Sequence, residues 1–186
     1  MLVTTNTDGT LECRRLMAAD AGELAGLFAA LCDCNDNRFF HPHPLSAEAA
    51  ASLSHYHDGH HTLSADRDEY HVVKDLGGGA IVGYGMLRGW AEGFAVPSLG
   101  IAVHPRHRGR GIARQFMLHL HRVACGRGAR QVRLKVYRDN QPAVRLYESL
   151  GYRFTPLGES EWLGIAPLAA SRPETQSRSR NRSRVA

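Results

Sequence analysis

A chain of 186 residues and 20.5 kDa fits one domain and excludes a multidomain machine. Hydrophobic residues at 43% and charged residues at 22% match a globular balance, so a packed core is expected. Of the formal charge of +5, residues 171–186 hold +4 through Arg172, Arg178, Arg180, Arg182 and Arg184 against Glu174, so the pI near 9.3 does not point to a nucleic-acid-binding fold.

Residues 1–15 carry no apolar run behind a basic segment, and no stretch approaches the roughly eighteen apolar residues that cross a bilayer, so a soluble cytoplasmic protein is the expectation. Cys13, Cys32, Cys34 and Cys125 then read as reduced thiols rather than a disulfide framework.

Leu24, Leu27, Phe28 and Leu31 fall at helical spacing within Ala18–Cys32, with Asp20 as the expected N-cap and Glu23 three residues on. Pro42 and Pro44 break the next segment, Phe39–Leu45, into an aromatic, histidine-containing loop, and Ser46 opens a second helix. Glu69–Lys74 and Ala80–Leu87 are rich in Val, Ile and Tyr around Gly77-Gly78-Gly79, the pattern of a hairpin. Ser98–Val103 is a further strand. After Arg108-Gly109-Arg110-Gly111, Ile112, Phe116, Met117, Leu120, Val123 and Ala124 share one helical face, and the helix ends at Gly126-Arg127-Gly128. Val132, Leu134 and Val136 alternate with Arg133, Lys135 and Tyr137, as in a strand with one buried face. Asn140–Leu150 reads as a short helix stopped by Gly151, followed by strands at Tyr152–Leu157 and Glu161–Ile165. These elements predict one domain over residues 1–170, with 171–186 as a basic, disordered Ser/Arg-rich tail.

The segment Arg106-His107-Arg108-Gly109-Arg110-Gly111-Ile112-Ala113 lies between a strand and an amphipathic helix, where unpaired N–H groups and the helix dipole receive phosphate. Gly109 and Gly111 let the backbone approach a ligand, and the flanking guanidinium groups suit phosphate oxygens. Neither a dinucleotide fingerprint nor a Walker loop is present. Asn140 and Tyr147, seven residues apart, stand close to two helical turns from each other and share a face.

Together these residues resemble the GNAT family of acyl-CoA-dependent N-acyltransferases. The family's [RQ]-x-x-G-x-[GA] loop corresponds to Arg106–Gly111, and its later pattern to Asn140-x2-Ala143-x2-Leu146-Tyr147-x3-Gly151-Tyr152-x-Phe154. The resemblance implies an α/β (α+β) fold: a mixed, mostly antiparallel twisted sheet, splayed at the cofactor strands and flanked by about four helices. It implies that acetyl-CoA, as cosubstrate, lies between Ser98–Val103 and Arg130–Tyr137. Main-chain groups of Ile101, Ala102 and Val103 would then pair with the pantetheine arm, and backbone amides from Arg108, Gly109, Arg110, Gly111, Ile112, Ala113 and Arg114, beside Arg106, would hold the pyrophosphate. Asn140 would contact the cofactor, and the Tyr147 hydroxyl would act as general acid toward the leaving thiolate.

In that scheme a neutral primary amine attacks the thioester directly, so no acyl-enzyme is needed and Cys125 reads as a buried small residue rather than a nucleophile. Some protein-acetylating members carry a glutamate five residues before the asparagine; Lys135 stands there in this chain. Glu92 and His41, and beyond them His43, His57 and Asp58, remain as general bases. The favoured acceptor is a small molecule such as an amino sugar, antibiotic or amino acid derivative. The alternatives are a protein N-terminus or lysine, and a non-catalytic acyl-CoA sensor. No membrane or nucleic-acid partner is expected, and a homodimer is the association to test. The run His55-Tyr56-His57-Asp58-Gly59-His60-His61 and Cys32-x-Cys34 lack the spacing of a metal site, so no metal is expected.

Overall fold

The structure is a computed structural model that describes residues 2–4, 10–58 and 67–168; the arginine-rich tail, His60 and His61 lie outside the described residues. Eight strands form one sheet in the order β1-β2-β3-β4-β5-β6-β8-β7. They are β1 (Leu2–Thr4), β2 (Thr10–Arg15), β3 (Glu69–Asp75), β4 (Ile81–Arg88), β5 (Ser98–Val103), β6 (Gln131–Tyr137), β7 (Arg153–Leu157) and β8 (Glu161–Pro167). Every neighbouring pair is antiparallel except β5 and β6. The helices are α1 (Ala21–Asp33), α2 (Ala47–Ser54), α3 (Ile112–Gly126) and α4 (Gln141–Ser149). The mixed, mostly antiparallel sheet and the four helices agree with expectation; β1 and β2 were not assigned from the sequence.

Helices cover the sheet on both faces, and this sets the burial of each strand. In β4, Ile81 through Leu87 are all buried, because α3 packs on one face and α1 on the other. Phe116, Met117 and Leu120 of α3 meet Val132, Leu134 and Val136 of β6 in one core. Leu24, Leu27, Phe28 and Leu31 of α1 meet Val72, Tyr84 and Met86 in the other. Strand β6 alternates buried and open residues because its second face lacks a helix. The α3 contact with β4 is close enough that a Cβ at Gly85 would come within 2.8 Å of the Phe116 ring.

Two local assignments differ from the sequence reading. Asp20 stands at the expected N-cap position of α1 but its side chain makes no cap hydrogen bond there: it also ends a short 3-10 turn, and its buried carboxylate accepts from Arg14 Nη1 and Nη2 at 2.6 and 2.7 Å and from the Met17 amide at 2.9 Å. A tertiary guanidinium outcompetes the local cap. Asn140 precedes α4 rather than belonging to it, and its Oδ1 accepts from the Ala143 amide at 3.4 Å. Ser46 does cap α2, accepting from Ala49 at 3.2 Å.

Candidate functional site

Strands β5 and β6 touch at one end only. Ser98 is opposite Arg133, and the Arg133 amide donates to the Pro97 carbonyl at 3.0 Å, yet no further residue pair joins the strands. Strand β5 meanwhile stays paired with β4 along its length, from Arg88↔Ser98 to Gly83↔Val103. From Leu99 onward β5 therefore turns backbone toward an open wedge rather than toward a neighbouring strand.

A cavity of about 630 Å³ fills the wedge, lined by Leu99–Val103, Val136, the start of α3, Asn140 and Tyr147. Gly111, at φ +77, turns the chain into α3, and no side chain caps the helix. The amides of Ile112, Ala113 and Arg114 accordingly lack intrahelical acceptors, and no carboxylate stands in the first turn. That end of a 15-residue helix attracts anions by its free N–H groups and its dipole. An open strand edge followed by a bare helix N-terminus fits an extended, amide-bearing arm that ends in a pyrophosphate, so the residues present suit coenzyme A.

The expected cofactor residues divide into two groups. Ile101, Ala102, Val103, Arg108, Gly109, Gly111, Ile112, Ala113, Arg114, Asn140 and Tyr147 line this cavity, whereas Arg106 and Arg110 are exposed and do not. The Arg108 guanidinium is occupied by protein: Nη2 and Nη1 donate to Asp36 at 2.6 and 3.3 Å, and Nε and Nη2 donate to the Val103 carbonyl at 3.2 Å each. Arg108 thus ties the glycine loop to the turn after α1, a contact invisible in the linear sequence.

Tyr147 is only 9% exposed, its ring 5.6 Å from that of Tyr152. Burial pushes its phenol up to about 12, so it remains protonated at neutral pH. Tyr152 is itself anchored through its hydroxyl to His121 Nε2 at 2.8 Å.

A second cavity, about 490 Å³, opens on the uncovered face of β5, β6 and β8. It shares Phe39, Phe40, Leu99, Gly100 and Lys135 with the wedge, so the two spaces meet at Gly100. A Cβ on Gly100 would lie 2.7 Å from Met86 Cε and 3.4 Å from Phe40 Cε2, so glycine keeps the junction open. Glu92 and His41 both line this second cavity. His41 Nε2 lies 3.3 Å from the Tyr137 hydroxyl, and its Nδ1 lies 3.1 Å from the Asn37 carbonyl.

The other histidine and aspartate candidates stand elsewhere. His43 bridges the Tyr84 hydroxyl at 3.0 Å and the Pro44 carbonyl at 2.9 Å, with burial pulling its pKa down. His57 accepts from the Tyr70 amide, and burial lowers it to about 4. Asp58 pairs with His55 on the surface. Cys125 is half-buried on α3 and lines neither cavity. Residues missed by the motif reading are Asp36, Arg88, Arg133, Tyr137 and Glu161; the alternation along β6 already placed Arg133, Lys135 and Tyr137 on one face.

The sequence profile of the acetyltransferase (GNAT) family matches residues 28–152. Over 92 residues the chain is 35% identical to streptothricin acetyltransferase of Streptomyces lavendulae, covering 50% of this chain and 46% of that protein. Over 90 residues it is 31% identical to an acetyltransferase of Sodalis glossinidius (strain morsitans), covering 48% of this chain and 61% of that one. The chain thus spans less than two thirds of each relative. In fold it is similar to the GNAT domain of S. lividans PAT, with a TM-score of 0.72 at 21% identity, covering 90% of this chain and 96% of that one. It is also similar to a spermidine N-acetyltransferase from Vibrio cholerae solved with CoA and spermine, with a TM-score of 0.66 at 18% identity and coverage of 86% and 96%.

Proposed function

The chain belongs to the acetyltransferase (GNAT) family, and from that membership we propose that it is an acetyl-CoA-dependent N-acetyltransferase acting on a small-molecule primary amine. The observation that carries this reading is the wedge itself: β5 unzips from β6 beyond Ser98, and its opening runs from a bare helix N-terminus to a protonated, buried tyrosine.

Acetyl-CoA supplies the activated acetyl group as a thioester. The amides of Ile112, Ala113 and Arg114 bind its pyrophosphate, and the open edge of β5 from Leu99 to Val103 aligns the amide-bearing arm as an added strand would. A backbone N–H on that edge meets the charge developing on the carbonyl oxygen. Asn140 stays fixed by its cap, leaving its amide NH2 to the cavity. The Tyr147 hydroxyl donates to the departing sulfur. Of the candidate bases, His41 and Glu92 line the acceptor cavity; His41, held against Tyr137 and next to Phe40 at the junction, is the better placed to take the amine proton. The preference for a small acceptor is supported by the relative named streptothricin acetyltransferase and by Lys135 in place of a glutamate.

Incubation of the purified protein with labelled acetyl-CoA and a cell extract, read by mass spectrometry, tests the reading. Protein-dependent label in a small amine is the expected result. Label on polypeptides instead would overturn the small-molecule acceptor, and absence of label despite acetyl-CoA binding would overturn the enzyme.

A further inference from the structure

The second cavity, which the proposed reaction assigns to the acceptor, is lined by three cations, Arg88, Arg133 and Lys135, and two carboxylates, Glu92 and Glu161, and strand register groups the two arginines. Arg88 of β4 is opposite Ser98 of β5, and Ser98 is opposite Arg133 of β6, so the three form one row across the sheet at the closed end of the wedge. All three line the cavity. With neighbouring strands about 4.8 Å apart, the two arginine Cα atoms stand roughly 10 Å from each other, either side of the Ser98 hydroxyl. One row further on, Gly100 and Lys135 mark the junction of the two cavities.

Among the described residues, one ion pair reaches this row. Arg133 lies over the Phe94 ring at 5.0 Å, and no described carboxylate lies within 4.0 Å of Arg133 or Lys135. Arg88 donates to the Pro42 carbonyl at 3.0 Å and is ion-paired with the buried Asp68, whose Oδ2 lies 3.8 Å from its Nε, so the unpaired cations facing the cavity are Arg133 and Lys135. Glu92 and Glu161 also line the cavity and are likewise outside any ion pair among the described residues. Two planar guanidinium groups flanking a hydroxyl match the oxygens of a carboxylate or phosphate. A polyamine seated in the same row would bring ammonium groups against two arginines, with Lys135 one row on.

We infer that the acceptor is an amine that also bears an acidic group, carboxylate or phosphate, held in the row Arg88–Ser98–Arg133 with its amine directed at Gly100. The inference rests on the acetyltransferase reading for the identity of the reacting end, and on the charge row for the other end. Lys135 at the junction adds to the effect: its ammonium disfavours a second positive charge nearby and so favours the neutral, nucleophilic form of the incoming amine.

The test compares pooled amino acids bearing free carboxylates with the corresponding primary amides, alongside phosphoethanolamine and spermidine. Binding is read by ligand-observed NMR, acetyl transfer by CoA release, and both are repeated on Arg133→Gln, whose folding is checked by its melting temperature and coenzyme A binding. The acidic members should bind and react at least about tenfold better than the amides or spermidine, and Arg133→Gln should erase that preference. Preference for the carboxylate pool over phosphoethanolamine identifies the acid as a carboxylate, and the reverse identifies a phosphate. Acid-selective binding that Arg133→Gln abolishes, without acetyl transfer, would retain the charge row and overturn the enzyme. Transfer that favours amides or spermidine, or that Arg133→Gln leaves unchanged, would retain the enzyme and overturn this inference, as would failure of every acidic amine to bind.

Discussion

Replacing Tyr147 with phenylalanine removes one oxygen and leaves the rest of the packing in place. The residue is 9% exposed, its contact with Tyr152 is between rings, and among the described residues no hydrogen bond ties its hydroxyl down. Stability should therefore change by about 1 kcal/mol or less, a shift of only a few degrees in Tm for a chain of this size. Turnover should respond far more. With its pKa pushed to about 12, the phenol is protonated in all but about one molecule in 10⁴ at pH 8, so it is always ready to donate. A donor of that pKa is a weak acid toward a thiol of ordinary pKa, about 8.5. Where the departing thiolate is desolvated as Tyr147 is, burial disfavours its charge as well, which narrows the gap. Loss of a positioned acid is worth about 10²–10⁴ in rate. The assay is steady-state kcat from pH 6 to 9.5, with acetyl-CoA affinity measured separately. A fall of about 100-fold or more in kcat, with affinity held within about threefold, is expected. Turnover within about threefold of the parent at every pH would remove Tyr147 from the chemistry.

Four other outcomes follow from the geometry. Gly85→Ala should lower Tm by several degrees, since its Cβ would meet the Phe116 ring at 2.8 Å and overpacking costs about 1–3 kcal/mol; an unchanged Tm would mean that α3 is free to shift off β4. Glu69, 3% exposed on its side chain, pairs with Arg15, Arg127 and His71 at 2.7, 3.2 and 3.2 Å, and Glu69→Gln should cost about 3–5 kcal/mol in a denaturant melt. Burial alone would raise that carboxyl, but His71 and Arg15 hold it below the usual range, so its contribution is present above about pH 4.3 and lost as pH falls through the lower native value. His57, His119 and His121, brought down to about 4 by burial, are neutral in the fold but charged in the unfolded chain between about pH 6.5 and 4, so wild-type stability should begin to fall below pH 6.5; a flat profile from pH 7 to 5 would contradict this. Asp36→Ala should release Arg108 and remove a negative charge from the wedge, tightening coenzyme A binding about threefold to tenfold at low salt and less at high salt; calorimetry showing weaker binding would refute it.

Local patterns in the chain were enough to place most of the elements. The 3.6-residue period of Ile112, Phe116, Met117 and Leu120, the two-residue period of Val132, Leu134 and Val136, and the glycines at 109 and 111 are short-range signals, and α3, β6 and the loop between β5 and α3 lie where those signals put them. Strand β2 carried less: its alternation is imperfect and its charged members, Arg14 and Arg15, reveal their purpose only beside Asp20 and Glu69. Asn140 and Tyr147 do line one cavity, though the asparagine does so from a cap position rather than from within the helix.

What the sequence by itself determined is the family, the helix and strand periods and the loop that starts α3, because each depends on residues within a few positions of one another. Tertiary structure alone decided which strands part and what stands across the gap. The row Arg88–Ser98–Arg133, the tie from Arg108 to Asp36 and the meeting of His41 with Tyr137 join residues 10 to 96 positions apart, for which no local spacing rule exists. Their proximity is fixed by strand order and register, which follow from burying two helix-covered faces of one sheet, and so by the whole chain at once.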